Sequence, residues 1–210
     1  MRRLLNAIFI GLYLLHGGVV LAYEEPSYEV VKTFPEFELR QYEPYVVAET
    51  FVNGDFSDVG SQAFRLLFSY ISEDKRPQGK IEMTTPVIQQ PDQGGTELTN
   101  EDIQGDDKLP GYRFAFVMPK AYALEDLPVP ADSKVKLKEV PAKLMAARRY
   151  SGTWSEEKYR KNEKILFEAI NKQGLQVIGE PVFARYNAPF SLWFLRRNEV
   201  LIEIQPQSVN

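Results

Sequence analysis

The residues best suited to chemistry in this chain are rings and guanidinium groups that lie close together near the C-terminus. Phe190, Trp193 and Phe194 are followed at once by Arg196 and Arg197. The rings offer stacking surface, and guanidinium groups can grip a carboxylate through paired hydrogen bonds. The pattern therefore suits a flat, apolar ligand that carries carboxylates. The alternative is an aromatic loop that closes one end of the fold, with both arginines paired to glutamates.

A second concentration of apolar side chains lies on the predicted helix 57–72, whose only charged residues are Asp58 and Arg65. At 3.6 residues per turn, its apolar positions cover a wider arc than packing on one sheet requires. Extra apolar surface on a soluble protein indicates another element, a second subunit or a ligand. The alternative is plain core. The helical residues predicted to line a ligand groove, besides Arg65, are Phe64, Leu67, Phe68 and Ile71.

The residue types that are missing exclude several classes of site. The chain has no Cys, and its one His is His16. Loss of the first 22 residues would leave a mature protein without either type. Zinc sites with nitrogen and sulfur ligands, Ser-His-Asp and Cys-His nucleophiles and disulfides are then excluded. No phosphate-binding glycine loop and no acid–base pair of carboxylates stands out, so neither catalytic nor metal-binding residues are predicted.

The N-terminus has the pattern of a secretory signal. Arg2 and Arg3 precede an apolar run at 4–15, and residues 20–22 (VLA) provide a cleavage site before Tyr23. We therefore predict a signal peptide at 1–22 and one domain at 23–210, exported to the periplasm or secreted. The alternative is an uncleaved anchor, because a spanning helix needs about 20 residues. After cleavage no stable membrane insertion is expected.

The net charge of the chain indicates which classes of binding partner to expect. The whole chain has a net charge of −4, and it becomes more negative once Arg2 and Arg3 are removed. An acidic domain has no general attraction for nucleic acid. We therefore expect a small-molecule partner and no nucleic acid, and the sequence specifies no protein partner.

Nine runs alternate in the manner of strands and two segments have helical periodicity. The helices are predicted at 57–72 and 155–172, each capped by its first residue, Ser57 or Ser155. The segments before the two helices are similar, since an Ala, a Gly, an aromatic and this Ser recur in the same order. This similarity predicts a duplicated βαββ unit, with an acidic loop at 89–111 between the halves. The predicted strands are 28–34, 37–42, 45–52, 80–89, 112–120, 135–140, 143–150, 176–185 and 199–205.

Two segments resemble the signatures of the SOUL/haem-binding family. They are residues 80–87 (KIEMTTPV) and the C-terminal stretch 186–200, which contains YNAP and RRNEV. The resemblance extends over about 23–205. It implies an α+β fold, a distorted antiparallel β-barrel or curved sheet with two long helices and pseudo-twofold βαββ units. It also implies binding of haem or another tetrapyrrole in a hydrophobic groove beside the first helix and the C-terminal loop.

The chain departs from the family pattern in its potential iron ligands. Without His or Cys, a haem iron could be ligated only by a methionine, a tyrosine or a lysine. We therefore expect an exported tetrapyrrole-binding protein that uses a hydrophobic groove without His ligation. The alternatives are an enzyme that acts on a tetrapyrrole or related small molecule, and a module that binds protein or lipid. The predicted ligand-binding residues are Phe64, Arg65, Leu67, Phe68, Ile71, Met83, Phe190, Trp193, Phe194, Arg196 and Arg197.

Overall fold

The computed structural model describes residues 23–73, 79–92 and 111–206. The predicted signal peptide and residues 93–110 of the predicted acidic loop lie outside these ranges. The helices are α1 (Val59–Ser72) and α2 (Glu156–Lys172). The strands are β1 (Tyr28–Thr33), β2 (Glu38–Tyr42), β3 (Tyr45–Asn53), β4 (Val87–Asp92), β5 (Gly111–Val117), β6 (Val135–Val140), β7 (Lys143–Tyr150), β8 (Val182–Arg185) and β9 (Asn198–Glu203).

The nine strands form one antiparallel sheet in the order β1-β2-β7-β9-β8-β4-β5-β3-β6, curled into a half-barrel. Apart from β1, the order is symmetric about the β8–β4 pair. The units β3-α1-β4-β5 and β7-α2-β8-β9 match each other, which confirms the predicted α+β fold with duplicated βαββ units. The outer strands are exchanged, because β2 pairs with β7 and β6 pairs with β3. Gly54 and Gly152, at matching places before the two helices, both have positive φ angles, 141° and 134°.

The core lies between the concave face of the sheet and the two helices. Alternation along the strands turns one set of side chains inward, including Phe114 and Phe116 of β5 and Phe183 of β8, all buried. Leu67 of α1 and Leu166 of α2 are fully buried against this face. A smaller cluster that includes Tyr42, Met145, Tyr186 and Leu201 lies apart from the main core. The sheet therefore buries most of its concave face and parts of the other face.

The ends of the elements differ from prediction at three places. Ser155 caps α2 as predicted, since its hydroxyl accepts the amide hydrogen of Lys158. Ser57 does not cap α1, which begins after Asp58 without a side-chain cap. Strands β4 and β8 begin about six residues later than predicted. Before β4 the backbone bonds elsewhere, because the amide of Ile81 donates to the end of α1 rather than to a neighbouring strand. In the part of the chain that the structure describes, neither helix has the length and apolar character to cross a bilayer.

Candidate functional site

The two helices leave the centre of the sheet between them. Helix α1 packs mainly on β3, β5 and β6, whereas α2 packs on β7 and β9. The strands at the symmetry axis, β4 and β8, therefore form the floor between the helices. The buried ring of Phe183 on this floor is stacked by Phe56 and by Tyr159 of α2. In the register of the β4–β8 pair, Gln89 lies opposite Phe183 and Val87 opposite Arg185. Because Phe183 and Arg185 are two residues apart on one strand, they share the inward face.

Arg185 is a cation at the centre of this floor. Its Nη2 donates to Oε1 of Gln89, and Nε2 of Gln89 donates to the carbonyl of Phe56 at 3.2 Å. The Nε of Arg185 is buried and has no hydrogen-bond partner. Within the described ranges, Arg185 forms no salt bridge, and burial lowers its pKa to about 10. The half-buried guanidinium is therefore held by one amide side chain instead of a carboxylate.

Aromatic rings surround this guanidinium. Its central carbon lies 4.7 Å from the ring centre of Phe183, 5.3 Å from that of Trp154 and 6.0 Å from that of Phe114. The hydroxyl groups of Tyr150 and Tyr159 are also buried without partners, and burial raises the pKa of both. Buried polar groups nearly always have partners, so these unpartnered groups set this part of the concave face apart from the rest of the core.

Trp154 is fixed by a network from the C-terminal strand. Its Nε1 donates to Oδ1 of Asn198 at 2.9 Å, and Nδ2 of Asn198 donates to the carbonyl of Gly152 at 3.1 Å. The guanidinium of Arg196 lies 4.5 Å from the Trp154 ring centre. Trp154 therefore contacts Arg185 and Arg196, which connects the central floor to the loop before β9.

The loop at 189–195 exposes its apolar side chains. Arg196 closes it, with Nε donating to the carbonyl of Ser191 and Nη2 to that of Pro189. Phe190 is 89% exposed, and Trp193 and Phe194 are each more than half exposed. The short 3-10 turn Trp193–Leu195 presents two of these residues, whose rings meet edge to face at 5.5 Å. Single exposed apolar residues are common, but a continuous run is a marker of a binding surface.

Helix α1 presents a second exposed aromatic pair. Phe64 and Phe68 are 37% and 46% exposed, and their rings stack with centres 5.6 Å apart. Gly60 precedes Phe64 by one turn, so Gly60, Phe64 and Phe68 follow one line along the helix. A Cβ atom on Gly60 would lie 3.5 Å from Nη1 of Arg185. The line therefore runs from the central guanidinium along α1. We call this surface, formed by Phe64, Phe68, Trp154, Phe190, Trp193 and Phe194, the aromatic surface.

The family model for "SOUL heme-binding protein" matches residues 23–203. The chain belongs to the SOUL family. Its fold is similar to the C-terminal domain of EcmrR, with a TM-score of 0.60 and 9% identity over 86% of this chain and 99% of that one. It is also similar to a hydrolase encoded by lin2189 from Listeria innocua, with a TM-score of 0.55 and 14% identity over 81% of this chain and 92% of that one.

Identities this low show a shared fold and nothing further. A third similar structure, an uncharacterized conserved protein from Listeria innocua, has a TM-score of 0.55 and 13% identity over 88% of this chain and 94% of that one. No curated protein matches the chain in sequence.

Three residues of the C-terminal SOUL segment have different structural roles, and the sequence alone does not show which residue has which role. Arg196 holds the exposed loop and Asn198 holds Trp154, as described above. Arg197 is bonded to glutamates instead: its Nε donates to Glu199 at 2.9 Å and its Nη1 to Glu25 at 2.8 Å. The alternative of pairing with glutamate is therefore correct for Arg197, and the prediction that it holds a ligand carboxylate is not supported by its contacts.

The predicted helical residues also divide into two groups. Phe64, Arg65 and Phe68 are exposed, whereas Leu67 and Ile71 are 0% and 3% exposed within the core. Leu67 and Ile71 face the sheet, because their helical positions belong to the stripe that packs on it. They are core residues and do not line an open groove.

The first SOUL signature connects α1 to β4. Met83, predicted to bind ligand, is half-buried and packs against the core. The neighbouring Thr84 is buried, and its Oγ1 donates to the carbonyl of Val117 at 2.5 Å. The segment therefore holds the end of α1 and the centre of the sheet together.

Sequence reasoning missed Arg185. The alternation Val182-Phe183-Ala184-Arg185 carried the signal, because an inward Phe183 requires an inward Arg185. Within the described ranges, no cluster of three or more His, Cys, Asp or Glu side chains is arranged to hold a metal ion.

Proposed function

We propose that this SOUL-family protein is exported and binds haem or another tetrapyrrole on the aromatic surface, without a His ligand to the iron. The observation that carries the proposal is the exposure of the stacked Phe64–Phe68 pair together with the Phe190–Phe194 loop, connected through Arg185 and Trp154. Flat rings on a fixed scaffold are the complement of a planar macrocycle.

Apolar burial supplies the affinity in this proposal. A macrocycle that removes several hundred Å² of apolar surface from water gains on the order of 10 kcal/mol, at about 25 cal/mol per Å². The loss of translational freedom and the ordering of the exposed side chains reduce this figure. Binding in the micromolar range or tighter is the expected result.

The methionines support binding that does not depend on the iron. Met118 and Met145 are 3% and 9% exposed, and Met83 packs against the core. None of the three projects freely from the aromatic surface, and residues 23–210 contain no His or Cys. Metal-free protoporphyrin IX should therefore bind within a few-fold of haemin. A preference for haemin above 100-fold would show that an axial ligand carries the binding.

The test is titration of the purified protein with haemin, followed by the Soret band and by quenching of tryptophan fluorescence. Replacing both rings, Phe64→Ser with Phe68→Ser, should weaken binding at least 10-fold, because each buried Phe contributes about 1.5–3 kcal/mol. The matched control is Val31→Ser, which changes a 56% exposed apolar residue on β1 at the sheet edge. A titration without a saturable spectral change would overturn the proposal.

Export is the second part of the proposal and depends on residues 1–22. N-terminal sequencing of the protein recovered from the cell envelope or medium should begin at Tyr23, the expected mature start. Recovery of the intact N-terminus in the cytoplasm would contradict export, and recovery in the membrane fraction would favour the anchor.

A lipid surface is a second candidate ligand, favoured by the loop alone. Phe190, Leu192 and Leu195 are 89%, 59% and 67% exposed, and Lys158 lies 5.5 Å from the Trp193 ring. Apolar residues beside basic ones are typical of segments that enter the membrane interface. Phe190→Ser with Leu192→Ser should abolish sedimentation with vesicles of phosphatidylglycerol and phosphatidylethanolamine if this candidate is correct. Sedimentation that persists in this double variant would contradict the lipid candidate.

A further inference from the structure

Half-buried Arg185 differs from two other arginines of the sheet, Arg40 and Arg197, in its partners. Arg40 and Arg197 each form salt bridges with Glu199. Arg185 has no carboxylate partner in the described part of the chain, although its Nε is buried. A guanidinium that is largely shielded from water and has no counter-ion is unfavourable, so Arg185 is suited to an anion that arrives from outside.

Building on the proposed function, we propose that Arg185 binds a carboxylate of the ligand in the space between α1 and Trp154. The ligand class is an aromatic or tetrapyrrole carboxylate. The carboxylate enters beside Gly60, and the apolar body lies along Phe64 and Phe68. This assignment replaces Arg197 as the carboxylate-binding residue.

The hydrogen-bond donors fit this role. Nη2 of Arg185 is bonded to Gln89, which fixes the plane of the guanidinium. The Nε–H group is buried and has no acceptor among the described residues. A carboxylate is an acceptor with several lone pairs and matches the geometry of a guanidinium. The ring of Trp154 lies against the same guanidinium and excludes water from one side.

The start of α1 adds to the attraction. Gly60, the second residue of the helix, lies next to Nη1, since an added Cβ atom would be 3.5 Å from it, and the first turn carries no acidic side chain. The N-terminal amides of a helix carry a partial positive charge. An anion beside Gly60 would therefore meet the guanidinium and the positive end of the helix together.

The charge of the ligand is the variable to test. Haemin and haemin dimethyl ester have the same macrocycle, but only haemin has free carboxylates. The wild-type protein should bind haemin at least 10-fold more tightly than the ester, because a hydrogen bond between charged groups contributes this much or more. Arg185→Gln should remove the preference and leave ester binding unchanged. The control Arg149→Gln, which removes an exposed arginine on β7 away from the proposed site, should keep the preference.

Ligand binding by a Gly60 variant and the thermal stability of Arg185→Gln provide two further tests of the assignment. Gly60→Leu leaves Arg185 in place but fills the space beside Nη1, so it should also remove the preference for haemin. Thermal unfolding of Arg185→Gln should occur at or above the wild-type temperature, because an unpaired buried charge is lost. Equal binding of haemin and its ester by the wild-type protein would overturn the assignment, as would a preference that survives both substitutions.

A separate pair of probes distinguishes this assignment from the proposed function. If neither haemin nor its ester binds, the tetrapyrrole proposal fails, and Arg185 is tested with 1-anilinonaphthalene-8-sulfonate and the uncharged N-phenyl-1-naphthylamine. Arg185→Gln should weaken binding of the sulfonate at least 10-fold and leave that of the uncharged dye within two-fold. Equal effects on both dyes, or on neither, would refute an anion site at Arg185.

Discussion

Glu199 offers the sharpest test of how the sheet is held together. Its side chain is 0% exposed and accepts four hydrogen bonds: from Arg40 Nη1 at 2.7 Å, Arg40 Nη2 at 3.3 Å, Arg197 Nε at 2.9 Å and the Tyr186 hydroxyl at 3.0 Å. Arg197 in turn holds Glu25, which precedes β1. One carboxylate on β9 thus connects β2, the loop before β9 and the N-terminal segment.

The perturbation is Glu199→Gln, which keeps the size of the side chain and removes its charge. Arg40 has a side chain only 4% exposed and would keep its charge in the same place. Removing one partner of a buried pair costs about 3–5 kcal/mol, because the remaining charge is uncompensated. At this chain length each kcal/mol lowers the melting temperature by about 2–4 °C, so a fall of roughly 6–20 °C is expected.

The effect should depend on pH in a defined direction. Burial alone would raise the pKa of Glu199, but the hydrogen bonds and charges of Arg40 and Arg197 hold it below the usual value. A lowered native pKa gives stability that is complete above the unfolded pKa, about 4.3, and is lost as the pH falls through the native pKa. The wild-type protein should therefore lose stability below about pH 4 more steeply than Glu199→Gln, and the two should converge.

The assay is urea unfolding monitored by circular dichroism, at pH 7 and in steps down to pH 3. A double variant, Arg40→Met with Glu199→Met, is the control, because it removes both charges and leaves the pair between Arg197 and Glu25 in place. It should be less destabilised than Glu199→Gln. A loss below about 1 kcal/mol for Glu199→Gln at pH 7, or a difference that does not change with pH, would refute the reasoning.

Three further comparisons use thermal or urea unfolding. Leu67→Ala should lower the free energy of unfolding by about 2–5 kcal/mol, because Leu67 is fully buried. Phe68→Ala should lower it by under about 1 kcal/mol, because that side chain is 46% exposed. Similar losses for the two variants would contradict the assigned faces of α1. Ser155→Ala should lower the free energy of unfolding by about 1 kcal/mol and Ser57→Ala by under about 0.5 kcal/mol, because of these two serines only Ser155 caps its helix. A larger loss for Ser57→Ala than for Ser155→Ala would show that the caps are misassigned. Gly152→Ala should lower the free energy of unfolding by more than about 1 kcal/mol, because its φ of +134° is a conformation that residues with a Cβ rarely adopt. A neutral result would contradict this geometry.

The fold was predictable because its signals are local and repeated. Alternation of apolar residues located all nine strands, and the recurring Gly and aromatic before each helix predicted the duplication that the sheet order confirms. The strand starts were less accurate. Residues 80–86 alternate like a strand, but their backbone bonds to α1 and to the N-terminal segment, and only tertiary contacts decide this. Ser57 has the right residue type for a cap, but α1 starts one residue later than a Ser57 cap requires.

The site was predictable only in part, because sequence adjacency does not determine the face that a side chain occupies. Arg196 and Arg197 are neighbours, but one closes the exposed loop and the other joins the ion network around Glu199. Arg185 was overlooked because a charged residue at the end of a strand is usually solvated. Its position depends on β8 lying at the centre of the sheet, and this follows from the pairing of β8 with β4 across the symmetry axis.

The exchange of outer strands has a consequence for how the molecule comes apart. Strand β2 belongs in sequence to the first half but pairs with β7, and β6, which follows the first unit, pairs back with β3. Separating the two halves would break the β2–β7 and β3–β6 pairings and leave unpaired strands at the edge of each half. Unpaired strand edges can pair with other chains and cause aggregation. A proteolytic cut or premature stop between the halves should therefore yield insoluble fragments, and co-expressed halves should recover solubility only by assembling with each other.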